Sequence, residues 1–148
     1  EDLHAQMLAL TLCDFVAETH NTHHPLGPSA FYEDQKGAAY QAAQGFLQVR
    51  LPRFLGYFER VLDANGGVFL VGDAVSYVDL TMFQVLTGLS YAFPKGFAKA
   101  IKQAPGLAQL QHRIASRRPL TDYLASERRQ SFNLDGVFRH YPELDVVE

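Results

Sequence analysis

The sequence predicts an all-α helical bundle, and three observations carry that prediction. Apolar residues recur at three- and four-residue spacing through most of the 148 residues, which is the period of a helix face. The stretch after Val75 is apolar almost without a break, through Val78, Leu80, Met82, Phe83, Val85, Leu86, Leu89, Tyr91 and Phe93. A helix of that composition is apolar on most sides and belongs at the centre of the bundle. The strand-like run Val68-Phe69-Leu70-Val71 has no partner run elsewhere, so it reads as an extended connector.

The elements follow in order. A first helix spans about Leu3 to His23, with Leu3, Met7, Leu10, Asp14 and Ala17 on one face and Leu8, Leu12, Phe15 and Thr19 on its neighbour. Pro25, Gly27 and Pro28 end it in a loop. A second long helix begins near Tyr32-Glu33-Asp34, whose acidic residues suit the positive end of a helix dipole. It carries Ala38, Ala39, Ala42, Ala43, Phe46, Leu47, Leu51, Phe54, Leu55, Phe58, Val61 and Leu62, with Pro52 inside the pattern as an expected kink. Asn65-Gly66-Gly67 stops it.

The central helix is expected from Ser76 to about Phe93, closed by Pro94. Ser76 and Asp79 have capping-box spacing, and Val75 with Leu80 stands where a hydrophobic staple would close over the box. Short helices are expected around Phe97–Gln103, from Pro105 to Arg117-Arg118-Pro119, and from Leu120 to Ala125. The tail, Ser126 to Glu148, is expected to wrap the surface through Phe132, Val137, Phe138 and Tyr141.

Composition limits the function classes. A hydrophobic share of 47% with 20% charged residues is ordinary for a soluble globular chain. A net charge of -3 argues against broad nucleic-acid binding. No apolar run reaches the roughly 20 residues needed to span a bilayer. The single cysteine, Cys13, excludes an internal disulfide and suits a reducing compartment, so the cytoplasm is the expected location. Cys13 is expected to be packed and structural. The chain opens on Glu1-Asp2-Leu3 without an initiator methionine and runs straight into a helical pattern, so a longer parent protein is expected. His20-x-x-His23-His24 has metal-like spacing, but no cysteine or carboxylate completes a set, and no metal is expected.

In its order of features the chain resembles the C-terminal domain of cytosolic glutathione transferases. The residues that carry the likeness are Gly72, Ser76 and Asp79 at the box, Thr11-Leu12-Cys13-Asp14-Phe15 in the first helix, and Arg118-Pro119-Leu120-Thr121-Asp122-Tyr123-Leu124-Ala125-Ser126 near the end. The sigma, pi, mu and alpha-like groups are nearest. The resemblance implies that residues 1–148 are a single helical domain, and that a thioredoxin-like N-terminal domain absent from this chain holds the thiol-activating residue. No catalytic residue is therefore named here. Glutathione enters as co-substrate, with no other cofactor.

The resemblance further implies a homodimer acting in detoxification, in which Asp14 reaches across to glutathione in the partner subunit. It also implies a pocket for a small apolar electrophile, drawing on His20 and His24 from the first helix and on Phe132, Asp135, Gly136 and Phe138 from the tail. Ser76 and Asp79 are structural. Two alternatives stay open. One is a non-catalytic interaction module of the transferase-like type found in translation factors and synthetase complexes; the other is a protein that holds apolar ligands without turnover.

Overall fold

The computed structural model describes residues 2–146; Glu1, Val147 and Glu148, the ends of the expected span and tail, lie outside the described residues. Its α-helices are α1 (Asp2–Asn21), α2 (Lys36–Gly45), α3 (Leu51–Ala64), α4 (Tyr77–Ala92), α5 (Pro94–Ala100), α6 (Pro105–Ala115) and α7 (Arg118–Leu124). Short 3-10 turns lie at Tyr32–Asp34, Ile101–Gln103 and Pro142–Leu144, and no strand forms among the described residues.

Helix α4 occupies the middle, packed on α1, α5 and α6, while α3 packs on α5 and α6. Val78, Met82, Phe83, Val85, Leu86, Leu89 and Ala92 are buried along α4, which leaves only a narrow side for Tyr77 and Leu80 to meet solvent. Helix α1 buries Ala5, Leu8, Leu12, Phe15 and Thr19, and turns Leu3, Met7 and Leu10 outward. Of the two candidate faces on this helix, the second is thus the inner one. Phe15 stacks on Phe54 of α3 with ring centroids 4.3 Å apart.

The second long helix is divided. Phe46–Arg50 forms a π turn, in which the Leu51 N–H donates to the Phe46 carbonyl five residues back. Pro52 has no N–H to give, and in an α-helix its ring would press on the carbonyl four residues earlier. Opening the turn by one residue relieves both problems, and the expected kink takes this form. Glu18 of α1 and Arg50 of the π turn meet in a paired bridge, at 2.7 and 2.6 Å.

Gly66 and Gly67 adopt φ of +86° and +77° after α3 and return N–H bonds to the Asp63 and Leu62 carbonyls. Glycine tolerates this left-handed backbone where a Cβ would not. The connector after them is held by side chains. Asn65 Nδ2 donates to the carbonyls of Phe69 and Gly72, and Arg113 Nη1 donates to that of Val68.

Three helix starts are completed by carboxylates. At α4, Ser76 is the N-cap and forms a capping box with Asp79. Asp79 is fully buried; its Oδ2 accepts from the Ser76 N–H and hydroxyl at 2.8 and 2.7 Å, and its Oδ1 accepts from the Leu70 N–H at 2.8 Å. The expected staple is not a buried pair. Val75 packs on the core, but Leu80 is 46% exposed because it lies on the outer side of α4.

Helices α5 and α6 begin at Pro94 and Pro105, after Phe93 and Ala104, which carry no capping oxygen. Their orphan donors are met from far along the chain. Asp145 accepts from Lys95 and Gly96, and Glu59 accepts from Gly106 and Leu107, at 2.7–2.9 Å.

Candidate functional site

The end of α1 and the tail meet beside α4, and this is where the side chains with chemistry gather. Beyond Asn21 the backbone turns tightly: Thr22 and His23 donate to the Thr19 and His20 carbonyls, and Gly27 donates to His24. The turns fold His23 and His24 back beside His20. The His20 and His24 rings stack at 5.1 Å, and the His23 ring stands edge-on to both at 4.8 Å. His23 and His24 are buried and His20 is half-buried.

His23 ties the tail to α1. Its Nε2 lies 2.9 Å from the Val137 carbonyl. A carbonyl only accepts, so Nε2 carries the proton and Nδ1 presents a lone pair. That Nδ1 faces Nδ1 of His24 at 2.5 Å. Burial, with smaller contributions from His20, Arg139 and His24, pushes the His23 pKa down to about 4. Burial, followed by Arg139, also lowers His20 and His24. The three rings therefore favour the neutral form.

The tail builds an aromatic step on α4. Phe132 stacks on Tyr91 at 4.9 Å and meets Phe138 edge-on at 6.1 Å. The Phe138 ring lies directly over Gly88, where a Cβ would stand 2.4 Å from ring carbons. Only glycine allows that approach, so Phe138 is the anchor that seats the tail. Asn133 Oδ1 accepts from the N–H groups of Asp135 and Gly136, and Arg139 donates to the Gly136 and Asp135 carbonyls, so the loop is closed on itself.

Two hollows flank this junction. One, of about 530 Å³, is lined by Tyr123, Arg128, Phe132, Gly136, Val137 and Phe138 among others. The other, of about 340 Å³, is lined by Leu12, Cys13, Val16, His20, Thr81 and Val137. Phe132, Gly136 and Phe138 thus come together in the first, and His20 opens on the second. His24 lies behind His20, buried, and lines neither hollow, while Asp135 is exposed in the loop.

Asp14 is exposed on α1 and bonds to no described residue. Cys13 corrects an expectation: it is exposed rather than packed. The inner stripe of α1 runs through Leu12 and Phe15, and one residue on from Leu12 the helix has turned by about 100°. Sequence reasoning left out of the site His23, the Val137 carbonyl and Arg139. The His-x-x-His-His spacing signalled the first; nothing local signals a backbone carbonyl 114 residues away.

Residues 20–127 match the family described as glutathione S-transferase, C-terminal domain. A glutathione S-transferase of Plasmodium yoelii yoelii is 34% identical over 79 residues, covering 49% of this chain and 38% of that protein. Glutathione S-transferase P 2 of Bufo bufo is 40% identical over 88 residues, 55% of this chain and 38% of its own. Glutathione S-transferase P 1 of Xenopus laevis is 28% identical over 92 residues, covering 61% and 42%. The chain spans about two fifths of the length of the curated relatives it matches.

Proposed function

The chain belongs to the glutathione S-transferase C-terminal domain family, and from that membership we propose that it is the electrophile-binding, dimer-forming half of a glutathione transferase. A thioredoxin-like domain supplies most of the glutathione site and the group that lowers the thiol pKa. The thiolate sulfur attacks an apolar electrophile such as a halonitroarene: the C–S bond forms, the carbon–halogen bond breaks and halide leaves with its electron pair, the thiol proton having already left to solvent. The present chain contributes walls and orientation, and alone it is inactive. Cytoplasmic detoxification is the setting that suits it. Among the described residues no helix is long and apolar enough to cross a membrane.

The observation that carries this reading is the aromatic step of Tyr91, Phe132 and Phe138 beside the end of α1. Its hollow sets the rings of Tyr123, Phe132 and Phe138 among polar side chains, Gln84, Arg128, Arg129, Gln130, Ser131 and Asn133, so an apolar ligand would rest on the rings with polar groups in reach. Gly136 and Phe138 line this hollow, while His20 opens on the neighbouring one, with His24 buried beside it. Leu3 and Leu10, 83% and 61% exposed on α1, supply an apolar stripe for a neighbouring subunit or domain to cover. A docking module would use the same stripe, which keeps that alternative in play. Asp14, further along the exposed side of α1, is free to meet the γ-glutamyl ammonium of glutathione in the partner subunit.

The test uses the full-length protein. Asp14→Ala is expected to weaken glutathione binding by about five- to tenfold in calorimetry, a loss of about 1 kcal/mol. Unchanged affinity removes Asp14 from the site. No conjugation of glutathione to an activated halonitroarene by the unmodified protein favours the docking module.

A further inference from the structure

The three histidines gathered where α1 meets the tail make a cluster that the transferase reading does not require. One ring nitrogen from each of His20, His23 and His24 lies within 4.8 Å of the others. His20 lies in the last turn of α1, and the turns after Asn21 bring His23 and His24 back beside it. We propose that His20, His23 and His24 bind a divalent transition-metal ion of the zinc class, with one coordination position left open toward the hollow beside Cys13.

Three observations support the assignment. The donor set is all imidazole, which suits zinc and its neighbours and not calcium or magnesium, whose ligands are oxygens. Zinc–nitrogen bonds of about 2.0–2.1 Å place tetrahedral ligand atoms about 3.3 Å apart. The three nitrogens need move only about 1 Å to reach that spacing, the Nδ1 atoms of His23 and His24 separating as the ion enters between them. His23 already has the outer contact typical of a ligating histidine. Its Nε2–H is held by the Val137 carbonyl at 2.9 Å, which fixes the tautomer and leaves Nδ1 unprotonated toward the cluster.

The open side is His20. It is half-buried and lines the hollow of about 340 Å³ with Cys13, Val16 and Asn21, so an ion held here has a way in and room for a water. Arg139 is the charged group that opposes a cation, since it also lowers all three histidines. Its guanidinium is turned to the Gly136 and Asp135 carbonyls. The ring of Tyr141 closes the side of His23 at 6.1 Å.

The test is titration of the full-length protein with zinc chloride after chelator treatment, near neutral pH and without glutathione. One equivalent is expected to bind, with affinity at least tenfold lower in His20→Ala and in His23→Gln and unchanged in His4→Ala and His112→Ala. Because His23→Gln also loses the tie to Val137 and could fail to fold, the wild-type protein is loaded with cobalt(II) as well. A visible ligand-field spectrum without thiolate charge transfer, lost in folded His20→Ala, supports the site. Absence of any such equivalent, or equal zinc affinity in folded His20→Ala, or a thiolate band in its place, overturns it.

Discussion

Replacing Asp79 by alanine removes one carboxylate and two kinds of contact. The Leu70 and Ser76 N–H groups each lose a carboxylate acceptor at 2.8 Å, and the Ser76 hydroxyl loses its partner at 2.7 Å. A hydrogen bond to a charged group contributes about 1.5–3 kcal/mol, and a buried donor left unpaired costs about 1–3 kcal/mol. Leu70 is 1% exposed and Asp79 0%, so water cannot substitute at the inner end, whereas Ser76 is half-buried and recovers part of its loss. The expected cost of Asp79→Ala is therefore about 3–4 kcal/mol, a large share of the 5–15 kcal/mol typical of a whole domain. Ser76→Ala deletes a half-buried hydroxyl only and should cost about 1 kcal/mol. Urea unfolding followed by far-UV circular dichroism measures both. A loss under 1 kcal/mol for Asp79→Ala, or a loss for Ser76→Ala as large as for Asp79→Ala, refutes the ranking.

Further outcomes concern the tail and the histidines. Gly88→Ala drives a methyl to within 2.4 Å of the Phe138 ring. Overpacking of about 1–3 kcal/mol outweighs the ~1 kcal/mol that alanine adds to helix propensity. Limited proteolysis should then cut faster in the segment 126–141 of the variant; an unchanged cleavage rate contradicts the anchor role. For His23, the unfolded ring takes up a proton below its ordinary 6.5 and the folded ring only near 4. Between those values the unfolded state binds more protons, so stability is full above about pH 6.5 and falls as pH drops toward about 4. The full difference corresponds to about 3 kcal/mol, which solvent reaching the cluster past His20 reduces to about 1–2 kcal/mol. Urea midpoints of chelator-treated wild type and His23→Gln at about pH 7.5 and about pH 4.5 should converge by that amount, and parallel losses would show that His23 plays no part.

The helical architecture was legible because its signals are local. Apolar spacing marked the inner face of α3, and Ser76 with Asp79 lies within a single helical turn. The third bond of Asp79 was not legible, since the Leu70 N–H reaches it by a tertiary approach. Pro52 announced a disturbance, but whether a helix bends, breaks or widens into a π turn depends on what packs around Phe46 and Leu51. Cys13 was misplaced because both faces of α1 are apolar by composition, and only packing chose Leu8, Leu12 and Phe15 over Leu3, Met7 and Leu10. In the site, the histidine spacing was visible and its convergence with the tail was not, because His23 and Val137 are joined by a bond 114 residues long in sequence.

The remote carboxylates at α5 and α6 have one more consequence. Neither helix carries its own stop against fraying at the start: Glu59 stands 47 residues from Gly106, and Asp145 stands 49 from Gly96. Each is finished only when a distant part of the chain arrives, so neither persists as a free-standing segment. Secondary and tertiary order here must appear and vanish in the same step, which makes the last few turns of this chain as much a part of its foundation as the buried rod at its centre.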